Sequence, residues 1–178
     1  MKLIDTKLNG VFIIENMVFE DQRGTFCKTF NAEIFSKNNL CNNFKESYYS
    51  ISQKDVIRGM HFQLPPYEHH KLVYVPHGEV MDVILDLRKA SNTFGEYINV
   101  NLSAENRNSI YIPKGLAHGF KALKNDTITV YNVSTVYNED SDSGIHWDSF
   151  DFNWNANNPI ISEKDQNLTK FNNFDTPF

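Results

Sequence analysis

Residues Asp55–Gln63 read DVIRGMHFQ. Val56, Ile57, Met60 and Phe62 mark the stretch as a buried strand, yet Arg58 and His61 sit inside it, three positions apart. Side chains of an ideal strand alternate between faces, so these two would point to opposite sides. Gly59 lies between them, and a glycine inside a strand signals a bulge that re-aims its neighbours. The expectation is a bulge at Gly59 that turns a guanidinium and an imidazole into one pocket.

The rest of the chain is strand-rich. GVFIIENMVF, the turn EDQRG and TFCKTF read as a hairpin, and AEIFSKNN as the one good short helix of the first half. SYYSIS, KLVYVP, EVMDVILDL, EYINVNL, NSIYIP, GFKAL and TITVYNVSTVY follow as strands, most of them separated by short turns such as PHGE, NTFGE and KNDT. SEKDQ is a possible short helical turn. Many short strands at regular spacing imply an all-β jelly-roll sandwich or barrel with a few short helices, not βαβ units. With no internal repeat and no linker, residues 1–178 read as one domain.

Bulk properties narrow the function. A net charge of −5, with no basic run longer than two residues, excludes a general nucleic-acid binder. The 14 Phe and 8 Tyr supply a core and aromatic-lined cavities. Cys27 and Cys41 have neither CxxC nor metal-ligand spacing and read as free thiols of a reducing compartment. The N-terminus lacks the apolar core of a signal peptide, and no run approaches the ~18 apolar residues of a membrane span, so a cytoplasmic protein is expected.

Strand parity places ionisable groups among apolar ones. Lys71 shares a face with Val73 and Val75, Asp82 and Asp86 with Val80 and Ile84, and Thr129, Tyr131, Val133, Thr135 and Tyr137 fall together. Taken singly, each has an ordinary reading: Lys71 a solvent-facing lysine, Tyr131 a core aromatic with a tethered hydroxyl, His61 a core or edge histidine, Asp82 and Asp86 partners of the backbone or of Arg88. Pro113–His118 adds P-x-G-x-x-H, the second half of the cupin signature. The first half, when it binds metal, needs H-x-H followed by Glu. Here His61 is followed by Phe62 and Gln63, so no metal site is expected.

Taken together, FEDQRGTF, VIRGMHFQLPP, HKLVYVPHGEVMDVILDLRKASNTFG, VNLSAEN, YIPKGLAHGF, GIHW and ISEKD resemble the dTDP-4-dehydrorhamnose 3,5-epimerases and related nucleotide-sugar epimerases over residues 8 to 168. The resemblance implies a cupin-like homodimer without cofactor or metal. It would invert C3, C5 or both in a nucleotide-linked 4-keto-6-deoxy sugar. It also implies His61 as base, Asp165 as its orienting carboxylate, Tyr131 as acid and Lys71 as support for the enolate oxygen. Arg58 would hold the diphosphate, joined by Arg23 of the partner subunit; Phe19 would contact the base or ribose, and His118 and Tyr137 the sugar end. The chain departs from the family at Glu46 and Tyr48, where ligand-binding amides are common, and at Lys28, where an acidic residue helps read thymine. The nucleotide (dTDP, GDP or CDP) therefore stays open at the level of sequence. So do a 3,4-ketoisomerase of the same cupin group and a metal-dependent cupin.

Overall fold

The structure, a computed structural model, describes residues 1–178. Its strands are β1 (Lys2–Asp5), β2 (Phe12–Glu15), β3 (Met17–Asp21), β4 (Gly24–Lys28), β5 (Glu46–Ser52), β6 (Ile57–Gln63), β7 (Lys71–His77), β8 (Glu79–Asp86), β9 (Tyr97–Ser103), β10 (Asn108–Ile112), β11 (Leu116–Ala122), β12 (Thr127–Val133) and β13 (Asp142–Gly144). Helix α1 (Ala32–Lys37) follows the first hairpin, and α2 (Glu163–Gln166) lies near the C-terminus. A six-stranded sheet in the order β1-β2-β10-β7-β12-β5 packs on a five-stranded sheet in the order β13-β6-β11-β8-β9. All ladders are antiparallel, and β3–β4 forms a separate two-stranded sheet. The expected all-β jelly-roll is what the chain adopts.

Why several strands are apolar at both parities follows from what covers them. Val80 and Ile84 of β8 join Val73, Val75, Ile110, Leu116, Phe120 and Tyr131 in the core between the sheets. Val83 and Leu85, the alternate residues, pack outward against Ile145, Phe150 and Trp154 of the C-terminal segment. On the far side, Phe35 of α1 lies against Ile14, Leu72 and Tyr111. Each such apolar side chain contributes ~1.5–3 kcal/mol by leaving water. Asn31 caps α1, its side chain accepting from the Ile34 N–H.

Two strands expected from sequence are shorter than their apolar runs. GVFIIENMVF breaks at Asn16, whose Nδ2 donates to Arg107 O and Ser109 Oγ, so β2 stays in the large sheet while β3 leaves it. TITVYNVSTVY ends at Val133: the Ser134 N–H donates to His70 O, and Ser134 Oγ accepts from the His70 N–H. Thr135 and Tyr137 therefore do not continue the face of Tyr131. The strands β1 and β13 carry too few apolar residues to stand out in the sequence.

The bulge in β6 is present. His61 pairs with His118 and Arg58 with Phe120, so three steps along β6 match two along β11. Gly59 has φ +132, and a Cβ there would lie 2.5 Å from Gly119 Cα. Gly59→Ala should therefore destabilise the chain by about 2 kcal/mol or more in urea denaturation. Wild-type stability in that variant would show that the bulge accommodates a side chain.

Candidate active site

The bulge sends Arg58 and His61 into the same cavity, of about 210 Å³, which Tyr48, Ser50, Lys71, His118 and Tyr131 also line. A neighbouring cavity of about 330 Å³ shares Tyr48, His61 and Lys71 and adds Glu46, Gln63, His69, Tyr137, Asp142 and Lys164. The expected residues His61, Lys71, Tyr131, Arg58, His118, Glu46, Tyr48 and Tyr137 are thus brought together from both sheets.

Asp165 approaches His61 from behind, carried by α2, which begins at the capping residue Ser162. Its Oδ1 lies 2.7 Å from His61 Nε2, and its Oδ2 accepts from the Gly59 N–H at 3.0 Å. Burial alone would raise the Asp165 carboxyl, but the hydrogen bonds from His61 and Gly59 outweigh it and hold the group below its usual range. An ionised carboxylate only accepts, so His61 Nε2 is the donor in this pair.

Lys71 is buried rather than solvent-facing, and its Nζ donates to His61 O at 3.0 Å. Burial pushes the ammonium down to about 8 against the pull of Asp82 and Asp142. Tyr131 is buried too, and desolvation raises its phenol well above the ordinary tyrosine range. Asp82 does not pair with Arg88 or the backbone; it faces the interior beside Val80 and Ile84, and its Oδ2 lies 2.8 Å from His118 Nε2. Burial lowers the His118 imidazole despite Asp82, so the ring is neutral and donates Nε2–H to the carboxylate. Asp86 holds Arg88, as expected.

On the rim, Arg58 Nε donates to Ser52 Oγ at 3.1 Å. Glu46 Oε2 accepts from the Tyr137 N–H at 2.7 Å, and Tyr137 Oη donates to Asp142 Oδ2 at 3.3 Å. Lys164 Nζ pairs with Asp142. Three expected residues stay away from this cavity. Phe19, Arg23 and Lys28 belong to the detached β3–β4 hairpin, where Arg23 closes on Asp21 with 85% of its side chain exposed.

Sequence reasoning passed over Asp82, Gln63, His69, Asp142 and Lys164. Lys164 was within reach, since it precedes Asp165 in SEKD, and Asp82 had the right parity but a partner in the wrong place. Asp142 sits on a strand too short to leave a pattern. No three His, Cys, Asp or Glu side chains are grouped to hold a metal ion.

Two packed antiparallel sheets with a His–Asp pair and a buried phenol beside one cavity define a cupin-like jelly-roll. Comparison with known proteins narrows this. The family profile of dTDP-4-dehydrorhamnose 3,5-epimerase matches residues 5–173. The dTDP-4-dehydrorhamnose 3,5-epimerase of Shigella flexneri is 42% identical over 174 residues, covering 96% of each chain. That of Methanothermobacter thermautotrophicus is 45% identical over 171 residues, 93% of this chain and 92% of its own. The crystal structure of dTDP-6-deoxy-D-glucose-3,5-epimerase from Legionella pneumophila, in complex with dTDP-4-keto-L-rhamnose, has a TM-score of 0.93 at 34% identity, over 98% of this chain and 94% of that one. The Bacillus anthracis dTDP-4-dehydrorhamnose 3,5-epimerase, with TDP and PPi bound, has a TM-score of 0.92 at 37% identity, over 95% and 98%. The chain belongs to the dTDP-4-dehydrorhamnose 3,5-epimerase family, whose members are isomerases.

Asp165→Asn removes a carboxylate that accepts two hydrogen bonds and should cost about 1–3 kcal/mol at pH 7. Because the folded carboxyl is held low, that stability is present above the ordinary value of 3.8 and is lost as pH falls through the lower folded value. Urea melts should therefore separate wild type from the variant at neutral pH and bring them together in acid.

Proposed function

We propose that this chain inverts C3 and C5 of a dTDP-linked 4-keto-6-deoxy sugar, the dTDP-4-dehydro-6-deoxyglucose type, in deoxysugar biosynthesis. The observation that carries the reading is one cavity lined by the His61–Asp165 pair, Lys71 and Tyr131. The family membership supports the sugar class.

In this reading His61 Nδ1 takes the proton from the carbon beside the C4 ketone. Electron density moves onto the ketone oxygen, and the Lys71 ammonium stabilises the enolate formed there; a fixed donor in that role is worth ~3–4 kcal/mol. Tyr131 then gives its hydroxyl proton to the same carbon from the opposite face. The phenolate regains a proton from water, and the imidazolium releases one. A positioned base contributes about 10²–10⁴ in rate. Arg58, on the rim of the same cavity, is placed to bind the diphosphate.

A homodimer belongs to the proposal. The β3–β4 hairpin carries Phe19, Arg23 and Lys28 outside the chain's own cavity, with Phe19 52% and Phe26 61% exposed. Across a two-fold axis it would deliver the partner subunit's Arg23 to the diphosphate and the partner subunit's Phe19 to the base. Sedimentation that returns a monomer at working concentration would remove this part.

In D₂O the wild type should place deuterium at C3 and C5 of the dTDP sugar, and His61→Asn should abolish the exchange. No exchange on dTDP-, GDP- or CDP-linked 4-keto-6-deoxy sugars would overturn the reading, and a product with a moved carbonyl would mean a ketoisomerase. The rate should also carry an alkaline limb. Lys71 acts protonated, so kcat/KM should fall as pH rises through about 8. Lys71→Arg should move that limb upward; a profile flat to high pH would release Lys71 from its role.

A further inference from the structure

We propose that Tyr48 is a positioning residue: its ring, stacked on Tyr131, fixes the direction from which the Tyr131 hydroxyl enters the cavity. This rests on the acid role given to Tyr131 above. The two residues are directly opposed in the β5–β12 ladder. Their rings lie 4.9 Å apart at an interplanar angle of 21°. A second ring contact on Tyr131 is the imidazole of His118, 5.9 Å away at an interplanar angle of 70°. A tyrosine swings about two side-chain torsions, and one stacked ring with one steeply inclined ring restricts both.

The position of β5 makes the stack necessary. It is the last strand of its sheet, so no further strand lies beyond it to cover that flank of Tyr131. Tyr48 does so instead: it is 43% exposed, whereas Tyr131 is 8% exposed. Position 48 is also one where the family resemblance places a ligand-binding amide. A short amide would leave the Tyr131 ring uncovered, and an aromatic ring closes over it. In this chain, then, a residue that lines both cavities also covers the acid.

The consequence lies in the fate of the enolate. With Tyr131 held in place, its O–H bond breaks as the new C–H bond forms on the far face, and the centre inverts. With Tyr131 swung aside, the proton on the His61 imidazolium returns to the face it left, or deuterium exchanged onto that imidazole does, and the carbon exchanges without inverting. Tyr48 thus sets the ratio of inversion to exchange.

The test is deuterium wash-in and product stereochemistry by NMR for wild type, Tyr48→Phe, Tyr48→Leu and Tyr48→Ala, with dTDP-4-keto-6-deoxyglucose as substrate. Tyr48→Phe keeps the ring and should keep the wild-type ratio of inversion to exchange. Tyr48→Leu and Tyr48→Ala should lose inversion about tenfold while exchange persists. Loss of exchange and inversion in equal proportion would overturn the proposal in favour of a structural role. A ratio in Tyr48→Phe that falls as far as in Tyr48→Ala would overturn it in favour of a role for the hydroxyl. A readout independent of turnover separates this from failure of the epimerase reading itself. Tyr131 ring signals should report one ordered conformer in wild type and Tyr48→Phe and conformational averaging in Tyr48→Ala; identical signals in all three overturn the proposal whatever the activity.

Discussion

The carboxylate of Asp165 is the point on which the site depends. It is buried, and both of its oxygens are taken by β6, one by His61 Nε2 and one by the Gly59 N–H. Charge-assisted bonds of this kind are worth ~1.5–3 kcal/mol each and offset the cost of removing the charge from water. The same two bonds fasten α2, and with it the C-terminal segment, onto the five-stranded sheet. That segment is what covers Val83, Leu85 and Met60. The interaction that holds the His61 ring is therefore also one that closes the outer core. Loosening either would loosen the other.

A second His–Asp pair lies beside the first. His118 is the ladder partner of His61, and its Nε2 likewise faces a carboxylate, that of Asp82. The two pairs differ in access to water. The His61 side chain is 34% exposed, whereas His118 is 3% exposed and Asp82 fully buried. A proton taken up at His61 leaves an imidazolium that water and Asp165 can solvate. At His118 burial opposes that charge, and the neutral ring packs against Tyr131 at an interplanar angle of 70°. Identical residue types thus take unlike roles because their surroundings differ.

How much of this was legible in the sequence depends on the range of each interaction. Gly59 was legible because a glycine inside an apolar strand weakens that strand unless it bends it, and a bulge is a local event. Parity put Tyr131 and Lys71 on faces shared with apolar residues, but it left Lys71 in solvent, and only the family resemblance brought both to the site. Asp165 could not be reached that way: it lies 104 residues from His61 along the chain, and nothing in local spacing links the two. Family resemblance alone pointed to it. Asp82 was misread for the same reason, since a nearby Arg88 offered a partner and the real one, His118, is 36 residues on. The Tyr48–Tyr131 stack depends on strand register between β5 and β12, which no pattern in either strand specifies.

The proposed base and acid sit on different sheets, and on that reading a jelly-roll suits the chemistry. His61 and His118 belong to β6 and β11 of the five-stranded sheet; Tyr131, Lys71 and Tyr48 belong to β12, β7 and β5 of the six-stranded one. Packed sheets stand about 10 Å apart, so side chains reaching in from both leave room for about one sugar ring. Inversion needs a proton removed from one face of a carbon and returned to the other, which calls for two groups on opposite walls at a fixed separation. Here the separation is set by the apolar core between the sheets, of which Tyr131 is itself a member. On the proposed roles, packing density at Val73, Ile84, Ile110 and Phe120 is a catalytic quantity, because a shift of one sheet on the other would part His61 from Tyr131 before any site residue changed.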